Sequence, residues 1–161
     1  LKVPTIFYCQ NNQWAISVPV QKQTAAQSLA QKAIAAGIKG VQVDGNDIFA
    51  VYKVVQDAIA EALKGRPTFI EAYTYRMSDH TTSDDAGKYR KEKEVKDWQK
   101  KDPLLRVKRY MEKKNMWDEK KEENMKRECE MVIAKAIKAY EAIPPAPKED
   151  IFKYTIAGGV T

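Results

Sequence analysis

Gly40-Val41-Gln42-Val43-Asp44-Gly45-Asn46-Asp47 opens the passage that decides the fold, which runs on to Thr68-Phe69-Ile70-Glu71-Ala72-Tyr73-Thr74-Tyr75. The first run reads as a short strand with a glycine turn, after which Asn46 or Asp47 is placed to cap a helix. In that helix Ile48, Tyr52, Val55, Ile59 and Leu63 recur at helical spacing, and Gly65 and Pro67 end it. The second run is a longer strand. Upstream, Thr5-Ile6-Phe7-Tyr8-Cys9 reads as a buried strand, bounded by Pro4 and by Gln10-Asn11-Asn12-Gln13. Trp14-Ala15-Ile16-Ser17-Val18-Pro19 continues as an extended, mostly apolar segment, since Pro19 keeps Val18 out of a helix. Thr24 with Gln27 matches a capping box, opening a helix whose Leu29, Ala30, Ile34 and Ala35 share a face and which Gly37 closes. Strand, helix, strand, helix, strand at these spacings predicts right-handed crossovers and a parallel sheet with flanking helices. Ligands of such sheets gather at the carboxyl ends of the strands, so the Asn11-Asn12 turn and the segment after Tyr75 are expected on the same edge.

That later segment is Arg76-Met77-Ser78-Asp79-His80-Thr81-Thr82-Ser83-Asp84-Asp85-Ala86-Gly87-Lys88-Tyr89-Arg90, which holds the single histidine of the chain. Nearly every side chain in it donates, accepts or carries charge. A polar, aperiodic stretch of about fifteen residues is longer than most connections in compact domains, and such stretches are functional or disordered. Composition alone also fits a solvated surface loop. Histidine is the side chain best suited to moving protons near neutrality, which makes His80 the candidate acid–base group.

Beyond the loop the pattern turns helical. Residues 91–100 read as a charged helix, and Asp102-Pro103 marks the start of another, in which Leu104, Val107 and Met111 share a face. Asp118 caps a long helix with an apolar stripe of Met125, Cys129, Val132, Ala136, Ile137 and Tyr140. Ile143-Pro144-Pro145-Ala146-Pro147 stops it, and Gly158-Gly159 makes the end look loose. The chain divides on this reading into an α/β part (1–90, with the active-site loop at 76–90), a helical extension (91–143) and an irregular tail (144–161). The first residues run straight into a strand with no initiator methionine, so a fragment or a processed chain is expected.

The 161 residues carry 28 Lys+Arg against 22 Asp+Glu, a formal charge of +6. Most lysines between positions 88 and 135 alternate with glutamates, as in Lys91-Glu92-Lys93-Glu94, which reads as solvated helix faces rather than a phosphate-binding stripe. No nucleic-acid partner is expected. The sequence shows neither a signal peptide nor an apolar run approaching the roughly 20 residues that a membrane helix needs. Cys9 and Cys129 form no Cys-x-x-Cys pair, which argues against zinc and for a reducing, cytoplasmic compartment.

The Asn11-Asn12-Gln13-Trp14 turn offers amide and main-chain oxygens, the ligands that magnesium takes in octahedral geometry, often completed by phosphate. Asn-Asn is also an ordinary turn former. Five segments together resemble one family. They are Cys9-Gln10-Asn11-Asn12-Gln13-Trp14-Ala15-Ile16-Ser17-Val18-Pro19, Gly40 to Asp47, Pro67-Thr68-Phe69-Ile70-Glu71-Ala72, His80-Thr81-Thr82-Ser83-Asp84-Asp85 with Tyr89-Arg90, and Lys101-Asp102-Pro103-Leu104. In this order they look like the alpha subunit of the thiamine-diphosphate-dependent, decarboxylating component of 2-oxo acid dehydrogenase complexes, of pyruvate or branched-chain type. The likeness runs from about Thr5 to Tyr140.

The resemblance implies a partial thiamine diphosphate-binding fold. Asn12, through its side chain, and Trp14, through its main-chain carbonyl, would hold the magnesium that anchors thiamine diphosphate. Ile16 would lie beside the cofactor rings. His80 would face the reactive carbon of the cofactor and assist transfer of the acyl group to a lipoyl arm. Asp84, Tyr89 and Arg90 would tie down a loop ordered by bound cofactor. The implied partners are a beta subunit in a heterotetramer, the lipoyl domain of an acyltransferase and a small 2-oxo acid, in the cytoplasm or, in a eukaryote, the mitochondrial matrix. Thr81 stands where mitochondrial relatives carry a phosphorylated serine, which puts that regulation in doubt. The family's Gly-Asp-Gly segment, whose aspartate is a charged magnesium ligand, would lie before Leu1. The glutamate that activates the cofactor's pyrimidine comes from the beta subunit in this family. The isolated chain is therefore expected to be inactive. A transketolase-like lyase fits less well, given the His80-to-Arg90 signature, and a non-catalytic interaction module derived from the fold is the alternative.

Overall fold

The computed structural model describes residues 3–153, so the loose ending read at Gly158-Gly159 lies outside the described residues. The chain forms two compact units, residues 1–113 and 114–161. In the first unit, β1 (Ile6–Asn11), β4 (Lys39–Asp44) and β5 (Thr68–Tyr73) make a wholly parallel sheet in the order β1-β5-β4. Between β1 and β4 come a two-residue hairpin of β2 (Trp14–Ala15) and β3 (Val18–Pro19), two 3-10 turns, and the single helical turn α1 (Lys32–Ala35). Helix α2 (Ile48–Ala62) connects β4 to β5. The parallel sheet with flanking helices is as the alternating pattern predicts.

β5 is the central strand, and Ile70 and Glu71 within it are fully buried. Val43, Ala58, Ile70 and Ala72 form the core, with Ile6, Val51, Val54 and Val55 packed against it. Asp47 caps α2, its carboxylate accepting from the Phe49 and Ala50 amides. At the other end Gly65, at φ +70°, takes the left-handed conformation that ends helices without a Cβ penalty.

Several local expectations give way. The stripe of α2 on the sheet is Val51, Val54, Val55, Ala58 and Ala62, whereas Ile48, Tyr52, Ile59 and Leu63 face outward. Alanines let a helix approach a sheet closely, and this helix is apolar on both sides, so spacing alone could not choose. β1 is an edge strand and Phe7 and Tyr8 are about half exposed, not buried. Residues 14–19 are extended at both ends, in β2 and β3, but reverse direction at Ile16-Ser17 to fold back as the hairpin.

Thr24 does not open a helix. Its hydroxyl accepts from the Ala26 amide in a local turn, and the Gln31 side chain, not a capping box, takes the Gln27 amide. Such local bonds compete with helix formation. The helix therefore starts after Ser28, on a 3-10 turn at Leu29–Gln31. It buries Ala30 and Ala33, while Ile34 is 75% exposed. Gly40 explains the small residues here: a Cβ at that position would meet the Ala30 carbonyl oxygen at 2.3 Å.

Helices α3 (Glu92–Gln99) and α4 (Pro103–Lys113) complete the first unit. Asp102 caps α4 through the Leu104 and Leu105 amides, and Leu104 points outward while Val107 and Met111 are partly covered. Arg106 of α4 bridges Asp44 at 2.7 Å and Asp47 at 2.9 Å. Burial works to raise the Asp44 carboxyl, but the Arg106 hydrogen bond, the Asn46 amide and the charges of Arg106 and Lys101 together outweigh it and hold the group below the usual range. The second unit contains α5 (Glu119–Glu141), capped by Asp118, and the short α6 (Asp150–Lys153) in the stretch otherwise expected to be irregular. The apolar stripe of α5 is exposed. Among the described residues no helix is long and apolar enough to cross a membrane.

Candidate functional site

The first turn grows from the end of β1. Asn11 is buried, and its side chain donates to the Glu71 carboxylate at 2.7 Å while its Oδ1 accepts the Gln13 amide. Glu71 also accepts the Ala30 amide at 2.9 Å. That buried carboxylate therefore fixes the turn to the central strand and to the turn before α1. Gln13 follows at φ +71°, with its amide side chain returned to the Asn11 carbonyl.

Asn12 bonds the Trp14 amide through Oδ1 at 3.0 Å. Ala15 and Val18 pair across the hairpin, as do Trp14 and Pro19, and the Val20 amide reaches the Gln13 carbonyl. Trp14 thus occupies the non-hydrogen-bonded position between two bonded pairs, where the amide and carbonyl both face away from the partner strand. The Trp14 carbonyl and Asn12 Oδ1 consequently lie on the same side. Both residues line a cavity of about 260 Å3 together with Cys9, Gln10 and Thr24.

Ile16 stands at the tip of the hairpin with φ +52°. A positive φ at only the first of two hairpin residues matches a type II′ turn, where glycine is the usual occupant. For a β-branched residue this is a strained backbone, of order 1–3 kcal/mol, and such strain collects at functional sites. The Ile16 side chain is 56% exposed rather than spent on the core.

Arg76 joins this turn to the loop. Its amide donates to the Asn12 carbonyl at 3.1 Å, and its guanidinium donates to the Ile16 carbonyl at 2.7 Å and the Tyr89 hydroxyl at 2.8 Å. Tyr89 donates in turn to Asp84, which also accepts the His80 amide at 2.8 Å. Arg90 donates to the Arg76 and Met77 carbonyls at 2.6 and 2.8 Å. Asp79 accepts the Ala86 amide, and the Trp14 and Tyr89 rings meet at 5.4 Å.

Asn12, Trp14, Ile16, Asp84, Tyr89 and Arg90 are thus brought into one network at the carboxyl end of the sheet. His80 itself is exposed, joined to this network through its main-chain amide. The residues that single-site reading passed over are Arg76 and Glu71. A charged residue amid the apolar Phe69-Ile70-Glu71-Ala72 run was the available signal, because a buried carboxylate demands partners.

The Tyr89 hydrogen bond, followed by the His80 amide, holds the Asp84 carboxyl below the usual range. Burial, then the same bond, raises the Tyr89 phenol. A depressed carboxyl contributes order above its ordinary pKa and loses it as pH falls; a raised phenol contributes below its ordinary pKa and loses it as pH rises. Protection of the His80 amide from hydrogen exchange is therefore expected to be level between roughly pH 4 and pH 10 and to fall outside that window. A decline centred near neutrality would contradict this linkage.

Among the described residues no three His, Cys, Asp or Glu side chains cluster as a metal site. The oxygens at Asn12 and Trp14 are neutral, which suits a hard cation that draws its anionic ligands from elsewhere. Cys9 and Cys129 are free thiols.

Comparison with known proteins places this geometry. Residues 1–149 match the model of the family described as dehydrogenase E1 component. The chain is 45% identical over 154 residues to the pyruvate dehydrogenase E1 component subunit alpha of Bacillus subtilis (strain 168), covering 94% of this chain and 42% of that protein. It is 49% identical over 139 residues to the protein of the same name from Staphylococcus aureus (strain Mu50), covering 85% of this chain and 38% of that one. It is 43% identical over 150 residues to the 3-methyl-2-oxobutanoate dehydrogenase subunit alpha of Mycobacterium tuberculosis (strain ATCC 25618 / H37Rv), covering 92% and 41%. The chain therefore spans about two fifths of the length of these relatives. The family model spans nearly the whole chain, and the chain belongs to the dehydrogenase E1 component family.

Proposed function

We propose that this chain is the part of an alpha subunit that supplies one wall of a thiamine diphosphate site, in an enzyme that oxidatively decarboxylates a 2-oxo acid and passes the acyl group to lipoate. The observation that carries the reading is the Arg76 bridge, which ties the Asn12–Ile16 turn to the His80 loop on one rim of the sheet. Bound thiamine diphosphate would supply the carbanion chemistry that removes carbon dioxide from the 2-oxo acid. Asn12 Oδ1 and the Trp14 carbonyl would be the groups of this chain that hold magnesium, which would draw its anionic ligands from the diphosphate and from outside this chain. Ile16, held outward by its strained turn, supports the cofactor rings.

His80 would be the acid–base group, carrying a proton during acyl transfer. Its amide is pinned by Asp84, and Tyr89 and Arg90 set the loop around it. A beta subunit completes the site in a heterotetramer, and the lipoyl domain of an acyltransferase reaches it at the His80 rim.

Two neutral oxygens hold magnesium poorly by themselves. Isothermal calorimetry of the 161-residue chain with thiamine diphosphate and magnesium is therefore expected to show no binding tighter than roughly millimolar and no turnover. Embedded in a full-length alpha subunit assembled with its beta subunit, the same residues are expected to give metal-dependent binding at least a hundred-fold tighter. Assembled enzyme whose Asn12→Ala variant binds cofactor as well as the parent would overturn the assignment.

A further inference from the structure

The loop is fastened not only to the first turn but also to α3, a helix that single-residue reading leaves as a charged surface element. Only Glu94, Val95 and Trp98 of α3 are partly covered, and they share one face at i, i+1 and i+4. Trp98 stacks on Tyr75 at 5.2 Å and 12°, and meets Tyr73 at 5.7 Å. Tyr75 is 6% exposed. Its hydroxyl is buried without a hydrogen-bond partner, so the ring is held by packing alone. The Arg90 guanidinium sits 5.7 Å from the Tyr75 ring centroid while it grips the carbonyls that open the loop. Lys101 lies over Trp98 at 4.6 Å, and its carbonyl accepts the Asn46 side chain, which also takes the Thr74 hydroxyl. One aromatic cluster thus runs from α3 through Tyr75 to Arg90 and the loop.

We propose that Trp98 is a positioning residue, which acts through Tyr75 and Arg90 to hold the His80 loop closed against the first turn. The inference rests on the reading that this loop is catalytic only for its consequence; the fastening stands on the contacts themselves. An eight-residue helix has little stability of its own in water. Its order depends on the Trp98 face, and the loop depends on Tyr75 and Arg90 being where that face puts them. Helix and loop therefore order together.

Timed tryptic digestion of the 161-residue chain, with bonds located by mass spectrometry, reads the coupling directly. Trp98→Leu keeps an apolar side chain but removes the stacking ring. It is expected to speed cleavage after Lys88 and Arg90 roughly ten-fold while leaving cleavage after Lys53 in α2 unchanged. Trp98→Tyr, which restores an aromatic face, is expected to return both rates to within about two-fold of the parent. Loop cleavage that is unchanged in Trp98→Leu, an equal rise at Lys53, or failure of tyrosine to rescue would each overturn the proposal. No cofactor or partner enters this measurement. A negative result therefore leaves the decarboxylase reading standing, and loss of that reading leaves the fastening standing.

Discussion

Arg76→Ala is expected to free the His80 loop while the sheet stays folded. The guanidinium makes two donor bonds, to the Ile16 carbonyl and the Tyr89 hydroxyl, from a side chain only 11% exposed. Hydrogen bonds from a charged donor contribute about 1.5–3 kcal/mol each, so losing both should raise opening of the loop by roughly a hundred-fold or more. Hydrogen exchange at the His80 amide reads this, since that amide is held by Asp84 at the far end of the same chain of bonds. Exchange in β5 should barely move, because the Arg76 main-chain bond to Asn12 survives the truncation. Lysine at position 76 keeps the charge but cannot span two acceptors in a fixed fork, so it should rescue only in part. Parent-like exchange at His80 in Arg76→Ala would remove the arginine from its bridging role.

The second large effect belongs to Glu71. Its carboxylate is fully buried and serves the Asn11 side chain and the Ala30 amide. Glu71→Leu preserves volume but strands both donors, at about 1–3 kcal/mol each. Stability should fall by about 3–4 kcal/mol, which in a chain of this size lowers the melting temperature by roughly 10 °C. Glu71→Gln keeps one acceptor oxygen and should lose about half as much. Thermal unfolding followed by circular dichroism distinguishes these outcomes. A leucine variant that melts with the parent would show that the turn at Asn11 is held by other contacts.

The large elements were legible because their signals repeat. Three strand runs separated by two helix runs force a parallel sheet, and Asp47, Asp102 and Asp118 cap helices where the residue types predict. What escaped was decided by single contacts. Nothing in Ala15-Ile16-Ser17-Val18 announces a hairpin, because the turn that forms asks for glycine and finds isoleucine. The stripe α2 turns inward was chosen by how close Ala58 and Ala62 let it come, a property of the sheet rather than of the helix. Phe7 and Tyr8 look like core residues in a β-branched run, and only strand order puts them at an edge. At the site, residue types drew the eye to the Asn11-Asn12 turn and to His80, while Ile16 was nominated only through the family resemblance. The bridge through Arg76 joins positions sixty residues apart and has no local signature.

Two of the three tryptophans of the chain touch tyrosines of this region, Trp14 meeting Tyr89 and Trp98 stacking on Tyr75. Trp117 belongs to the other unit. Two of the three indoles that emit in the ultraviolet are therefore in contact with the tyrosines beside the loop. The molecule carries a built-in optical gauge of its own rim, readable in solution without a dye.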